Sequence, residues 1–115
     1  MIEQWRPMCY KEVTSDTYEV STMGNIRNAK TNRILKPQST GYLHVRIRHD
    51  GKLQNIRIHR AVAETFLIRA EGYDYVNHID GDKTNNKANN LEWCTQQHNV
   101  RSSLLARGKL INVEA

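Results

Sequence analysis

The clearest alternation of apolar and polar positions lies in the middle of the chain. Tyr42-Leu43-His44-Val45-Arg46-Ile47-Arg48 alternates strictly, and Asp50-Gly51 supplies a two-residue hairpin turn before Leu53 to Ile58. Successive strand side chains point to opposite faces, so Leu43, Val45 and Ile47 share an apolar face with Ile56 and Ile58. His44, Arg46 and Arg48 share the other face with Asn55 and Arg57, and the ribbon presents its arginines on one side. Upstream, the first forty residues read as short extended pieces: Tyr18 to Ser21, a piece starting at Ile26-Arg27 after a turn at Met23-Gly24-Asn25, and Arg33 to Lys36, ended by Pro37.

Downstream, the period changes. His59 to Ile68 reads as a helix with Ala61, Val62, Ala63, Phe66 and Leu67 as its buried stripe. Tyr75 to Ile79 alternates as a strand, Asp80-Gly81 turns it into a polar stretch ending at Asn90, and Leu91 to Cys94 forms a second short strand. Thr95 suits the N-cap of a helix running to about Ala106, with Val100, Leu104 and Leu105 turned inward and Gly108 as its stop. The order is strand, long loop, strand, helix.

Composition narrows the functional classes. At 115 residues with 38% hydrophobic content, the chain fits one domain with a modest core. A net charge of +5 points to a polyanionic partner, with nucleic acid first among the candidates. Cys9 and Cys94 form no CxxC pair, which excludes a zinc knuckle and gives no disulfide framework. No apolar run approaches the roughly 18 residues that span a bilayer, and the N-terminus lacks the order of a signal peptide; the expectation is a cytoplasmic protein with no membrane partner.

Candidate chemistry concentrates between Tyr75 and Arg101. His78 ends a strand, Asn90 stands twelve positions on at the end of the loop, and Asn99 nine further on, inside the predicted helix. A histidine on a strand beside an asparagine-rich turn is, by itself, an ordinary surface feature. The run Val76-Asn77-His78-Ile79-Asp80-Gly81-Asp82-Lys83-Thr84-Asn85-Asn86, followed by Asn90-Leu91-Glu92-Trp93-Cys94-Thr95 and Asn99, resembles the HNH nucleases with the ββα-metal fold, in the subgroup of phage and intron homing enzymes. His59-Arg60-Ala61-Val62-Ala63-Glu64-Thr65-Phe66 is similar to the helix preceding the site in that subgroup. Glu3 to Pro7, Tyr18 to Ser21 and Gly24 to Arg27 are similar to a module often found upstream of it.

The resemblance implies an α+β fold: an N-terminal antiparallel β region with a basic hairpin, one helix, then a C-terminal ββα-metal finger. The expected division is a DNA-gripping region over 1–58, the helix and nuclease finger over 59–107, and a tail over 108–115. The implied activity is divalent-metal-dependent hydrolysis of a DNA phosphodiester bond, nicking one strand to leave a 5′ phosphate and a 3′ hydroxyl. The alternative is a catalytically weak DNA-binding or inhibitory protein on the same fold; an RNA-binding protein, resting on charge alone, ranks below both. His78 is the expected general base, since an imidazole accepts a proton near neutrality. Asn90 ties the loop back and keeps His78 aimed.

Asn77 and Asn99 offer amide oxygens to one divalent cation, Mg²⁺ or Mn²⁺, and no organic cofactor is implied. Adjacent helix positions lie about 100° apart, so Asn99 rather than His98 faces that ion. Asn77 and His78 point to opposite faces of a regular strand, so their joint use requires a bulge or twist there. Both expected ligands are neutral, which implies weak metal binding until a DNA phosphate adds its charge. Asp80 and Asp82 are nearby carboxylates that would supplement the site. Arg46, Arg48, Arg57, Arg60, Lys83, Lys87 and Arg101 are the expected contacts to double-stranded DNA, with Arg60 beside the scissile phosphate. Gly108 to Ala115 leave no room for a helix-turn-helix module, so weak sequence preference is expected. The same resemblance places the protein in a phage-infected or prophage-carrying bacterial cell.

Overall fold

The computed structural model describes residues 2–96. Strand β1 (Trp5–Tyr10) pairs antiparallel with β2 (Val13–Ser21), which pairs in turn with β3 (Ile26–Asn28). A second antiparallel sheet joins β4 (Gln38–Ser39), β5 (Leu43–His49) and β6 (Lys52–Arg57) in that order. Helix α1 (Ile58–Phe66) follows directly, and β7 (Tyr75–His78) and β8 (Leu91–Cys94) form a two-stranded ribbon after it, with a 3₁₀ turn at Ala88–Asn90 leading into β8. This is the expected α+β order as far as β8. The predicted final helix, with Asn99 and Arg101, lies outside the described residues. No helix among the described residues is long and apolar enough to cross a membrane.

The central hairpin forms as its pattern dictates. Asp50 and Gly51 both take positive φ, 52° and 74°, which is the backbone a tight hairpin turn with the right-handed strand twist requires. The register sets Val45 against Ile56 on the core face, and Arg46 against Asn55 and His44 against Arg57 on the other. Arg46, Arg48 and Arg57 are exposed as expected, whereas His44 is buried although it shares their face. Its end of the strand is flanked by β4, where it faces Gln38, and its Nδ1 lies 3.4 Å from the Tyr42 carbonyl.

Strand β1 is the element the sequence pattern concealed. Pro7 donates no backbone hydrogen bond, which argues against a central strand but is tolerated at a sheet edge, where β1 lies. The β1–β2 register also shifts between Pro7 and Cys9, which erases simple alternation. Arg33 to Lys36, expected as an extended piece, contributes only an isolated bridge from Ile34 to Arg27.

The turn between β1 and β2 contains no glycine, yet Lys11 and Glu12 have φ of 52° and 65°. Left-handed backbone costs a residue with a Cβ roughly 1–2 kcal/mol. The offset comes from α1: Glu64 Oε2 accepts the Lys11 N–H at 3.0 Å and Oε1 accepts the Glu12 N–H at 2.9 Å. Thr65 Oγ1 accepts the Cys9 N–H alongside, at 2.9 Å. Glu64→Ala is therefore expected to lower unfolding stability by about 2–3 kcal/mol, the cost of leaving these donors without a charged acceptor. Urea denaturation checks this, and an unchanged midpoint would refute it.

One core joins both three-stranded sheets, α1 and the β7–β8 ribbon. Met8, Val20, Ile26, Ile56, Val62 and Leu91 are among its buried members, drawn from both three-stranded sheets, α1 and β8. Each fully buried aliphatic side chain contributes about 1.5–3 kcal/mol of hydrophobic stabilisation. The sheets are also tied by polar contacts. The Tyr10 hydroxyl accepts the Arg57 N–H at 3.3 Å and donates to the Asn55 carbonyl at 3.5 Å, and the His49 Nε2–H donates to the Tyr10 carbonyl at 2.9 Å.

Candidate active site

The β7–β8 ribbon and its connecting loop assemble the site. Its register is regular: Tyr75 faces Cys94, Val76 faces Trp93, Asn77 faces Glu92 and His78 faces Leu91. Of the bulge or twist expected near His78, the regular register leaves no bulge, and Asn77 and His78 leave the strand on opposite faces. Ladder pairing of all four residues of β7 holds the strand straight.

The loop after His78 is a closed network of short polar side chains. Asp80 Oδ1 accepts the Asp82 N–H at 2.8 Å and the Asn90 amide at 2.9 Å, while its Oδ2 accepts the Asn85 amide at 2.9 Å. Asn90 returns the bond by accepting the Asp80 N–H at 3.2 Å, and donates also to the Asn85 carbonyl at 2.9 Å. The Ile79 N–H donates to the Asn90 carbonyl and the Gly81 N–H to the His78 carbonyl, so the turn closes directly behind His78. The bonds from Asn85, Asp82 and Asn90, in that order, hold the Asp80 carboxyl below its ordinary pKa. Both Asp80 oxygens are thus engaged within the loop. Asp82 caps its own turn by accepting from the Thr84 N–H and hydroxyl, which lowers its pKa in the same way.

His78 is buried. Its Nε2 lies 2.7 Å from Oδ1 of Asn86, itself buried in the loop. On another side it meets a short stack of rings brought by the hairpin and α1. The His59 ring lies 5.1 Å from that of His78 at a tilt of 40°, and Tyr42 stacks on His59 at 4.9 Å. Burial, followed by the positive charges of His78, Arg57 and Arg60, pushes the His59 imidazole down to about 3. His59 therefore stays neutral at physiological pH.

Cations converge on the same ring stack. Lys83 Nζ lies 4.8 Å from the Tyr42 ring centre and the Arg57 guanidinium 5.6 Å from it. Beside them opens a cleft of about 520 Å³ whose lining includes Tyr42, His44, Asn55, Arg57 and Lys11. Arg46 and Arg48 continue the positive face along the hairpin, and Lys87 is exposed in the loop. Arg60 is employed differently. Its Nε donates to Glu64 at 3.1 Å, its Nη1 to the Asp74 carbonyl at 3.0 Å, and its guanidinium lies 5.3 Å from the Trp93 ring. Trp93 is half-buried beneath the guanidinium groups of Arg60 and Arg69.

The opposite face of β7 carries Asn77, whose Nδ2 donates to Glu92 Oε1 at 3.0 Å. Its amide oxygen has no hydrogen-bond partner among the described residues, and the Glu92 carboxylate brings a negative charge to this point. Among the described residues no three His, Cys, Asp or Glu side chains gather as a metal cluster. A cation at this position would draw on amide oxygens with carboxylate support, a donor set that fits a hard ion such as Mg²⁺ rather than zinc.

The structure thus joins His78, Asn90 and Asp80 in one loop, sets Lys83 and Arg57 beside them, and turns Asn77 toward Glu92. Sequence reasoning missed Asn86, His59 and Tyr42. Only the clustering of asparagines signalled the first of these.

Two sequence families meet in this chain. Residues 3–48 match the NUMOD4 motif and residues 57–101 match the HNH endonuclease family, so an HNH endonuclease domain follows a NUMOD4 motif in this chain. Its relatives include DNA endonuclease I-HmuI of Bacillus phage SP01, 38% identical over 98 residues that make up 81% of this chain and 54% of that protein. An uncharacterized HNH endonuclease of Acanthamoeba polyphaga mimivirus, L245, is 37% identical over 87% of this chain and 31% of its own length. The solved structure of the HNH homing endonuclease I-HmuI, which concerns DNA binding and cleavage, superposes with a TM-score of 0.73 and 34% identity, covering 95% of this chain and 62% of that one. The chain spans about a third to a half of these two curated relatives.

Proposed function

We propose that the chain is a divalent-cation-dependent endonuclease that nicks one strand of double-stranded DNA, leaving a 5′ phosphate and a 3′ hydroxyl. The observation that carries this reading is His78: an immobilised imidazole at the end of β7, inside the segment that matches the HNH family and beside converging cations. In this role the neutral ring takes the proton of a water molecule as the water oxygen attacks phosphorus. His59, held neutral, adds no opposing charge when His78 becomes cationic. Lys83 and Arg57 balance the charge growing on the phosphate oxygens. Asn90 acts through the loop, keeping the turn behind His78 closed.

Asn77, with Asn99 from the segment beyond the described residues, would hold the cation. When bound it would supply Lewis-acid polarisation of a phosphate oxygen and neutralise the departing 3′ oxygen. Arg46 and Arg48, with Lys87 and Arg101, would follow the flanking backbone. Phosphate contacts of this kind fix register without reading sequence. Replacing Arg46, Arg48 and Arg57 together with alanine is expected to flatten the dependence of log Kd on log salt by about 2.7, at about 0.9 per lost phosphate contact. Fluorescence anisotropy with a labelled duplex measures the slope; an unchanged slope would remove the hairpin from the DNA interface.

Conversion of supercoiled plasmid to open circle tests the activity. Nicking is expected with Mg²⁺ or Mn²⁺ and none with EDTA. The second reading, a DNA-binding or inhibitory protein, draws its support from the neutral pair Asn77 and Asn99. Plasmid binding with no cutting under any of these ions would establish it instead.

A further inference from the structure

The reading of His78 as the base leaves open what decides which of its nitrogens can take a proton. Asn86 lies eight positions from His78, buried, with its Oδ1 2.7 Å from Nε2. A carboxamide oxygen only accepts, so the hydrogen of the neutral ring sits on Nε2 and the lone pair on Nδ1. Nδ1 has no hydrogen-bond partner among the described residues and is not sealed from solvent. The ring is thus fixed with its lone pair on Nδ1.

A second observation concerns what holds Asn86. Gly24, in the segment matching the NUMOD4 motif, packs against it. A Cβ at Gly24 would lie 2.9 Å from the Asn86 carbonyl oxygen and 3.0 Å from its Cβ, and φ at Gly24 is +85°. The turn carrying Gly24 is rigid: Glu3 Oε2 accepts from both the Ser21 hydroxyl and the Asn25 amide at 2.7 Å. The Ala88 N–H then donates to the Thr22 carbonyl at 2.8 Å, binding the catalytic loop to that turn on the far side of Asn86. No side chain larger than hydrogen fits between them.

We infer that Asn86 is a positioning residue that holds His78 in the Nε2–H tautomer, and that the NUMOD4 segment, through the close approach of Gly24, forms the wall that keeps Asn86 in place. This rests on His78 being the general base. It makes the upstream motif a structural part of the catalytic centre as well as a region near DNA.

The test uses the full chain labelled with ¹⁵N-histidine. Long-range ¹H–¹⁵N spectra at pH 8 are expected to show His78 with a protonated Nε2 and an unprotonated Nδ1. Asn86→Leu is expected to lose that single pattern and to slow single-turnover nicking by about 10–100-fold, with plasmid affinity held within about twofold. Asn86→Asp, which keeps an acceptor at the same place, is expected to retain the tautomer. Gly24→Ala is expected to disturb the His78 signals and slow nicking in the way Asn86→Leu does.

A wild-type His78 with the proton on Nδ1 would overturn the inference without any variant having to fold. So would Asn86→Leu with unchanged spectrum and rate. If the wild-type chain does not nick at all, the endonuclease reading fails. The tautomer of wild-type His78 and its response to Asn86→Leu still decide the positioning role.

Discussion

His78→Ala is expected to slow plasmid nicking by about 10³-fold, within the 10²–10⁴ range typical of a lost general base. That corresponds to roughly 4 kcal/mol on the barrier. The reason is structural economy: among the described residues, His78 and His59 are the imidazoles in the ring stack, and His59 is held at about 3, too weak a base to substitute. DNA affinity should remain within about twofold, because the positive face lies on the hairpin and at Lys83 rather than on His78. Gel quantification of nicked product, with a parallel binding titration, separates the two quantities. A variant that cuts at the wild-type rate would sink the assignment of the base.

Acid should unfold this protein early, and His59 should account for a measurable part of the effect. Its folded pKa of about 3 lies well below the 6.5 of a free histidine, because burial and neighbouring cations disfavour its charged form. Between those values the unfolded chain binds a proton that the folded chain refuses, so stability falls as pH drops from 6.5 toward 3. Because the unfolded histidine is half protonated at pH 6.5 and fully so at 4.5, moving between them removes about 2 kcal/mol through this group alone. Carboxylates with lowered pKa, such as Glu3 through its bond from Ser21, act in the same direction at the acid end. Urea titrations of the wild type and His59→Phe at both pH values isolate the histidine. The phenylalanine variant should lose about that much of the difference between the two pH values, and an equal pH dependence in both would overturn the account.

Where local pattern and tertiary environment agree, the structure could be read in advance. The hairpin from Leu43 to Arg57, its Asp50-Gly51 turn, α1 and the β7–β8 ribbon all follow from periodicity and turn chemistry. Strand β1 was hidden because Pro7 and a register shift break its alternation, and its place is set by docking onto β2 and α1. The site divides along the same line. His78 and Asn90 stood out through their spacing in a recognisable motif. Asn86, His59 and Tyr42 did not, since each reaches His78 through folding rather than through position in the chain. Among Asn85, Asn86, Asn89 and Asn90, nothing local distinguishes the one that touches the imidazole. The regular ladder of β7 likewise came from pairing with β8, and of the expected bulge or twist it leaves no bulge.

The Tyr10 hydroxyl, seated against the outer edge of β6, has a consequence for behaviour at high concentration. An uncovered strand edge is a template on which a second copy can extend the sheet, the first step toward fibrous aggregation. Here the Arg57 N–H and the Asn55 carbonyl that would recruit such a strand already share one phenol. Among the described residues the other long edge, at β1, is interrupted by Pro7, which offers an incoming chain no N–H. The positively charged ribbon is thus hindered from polymerising on itself.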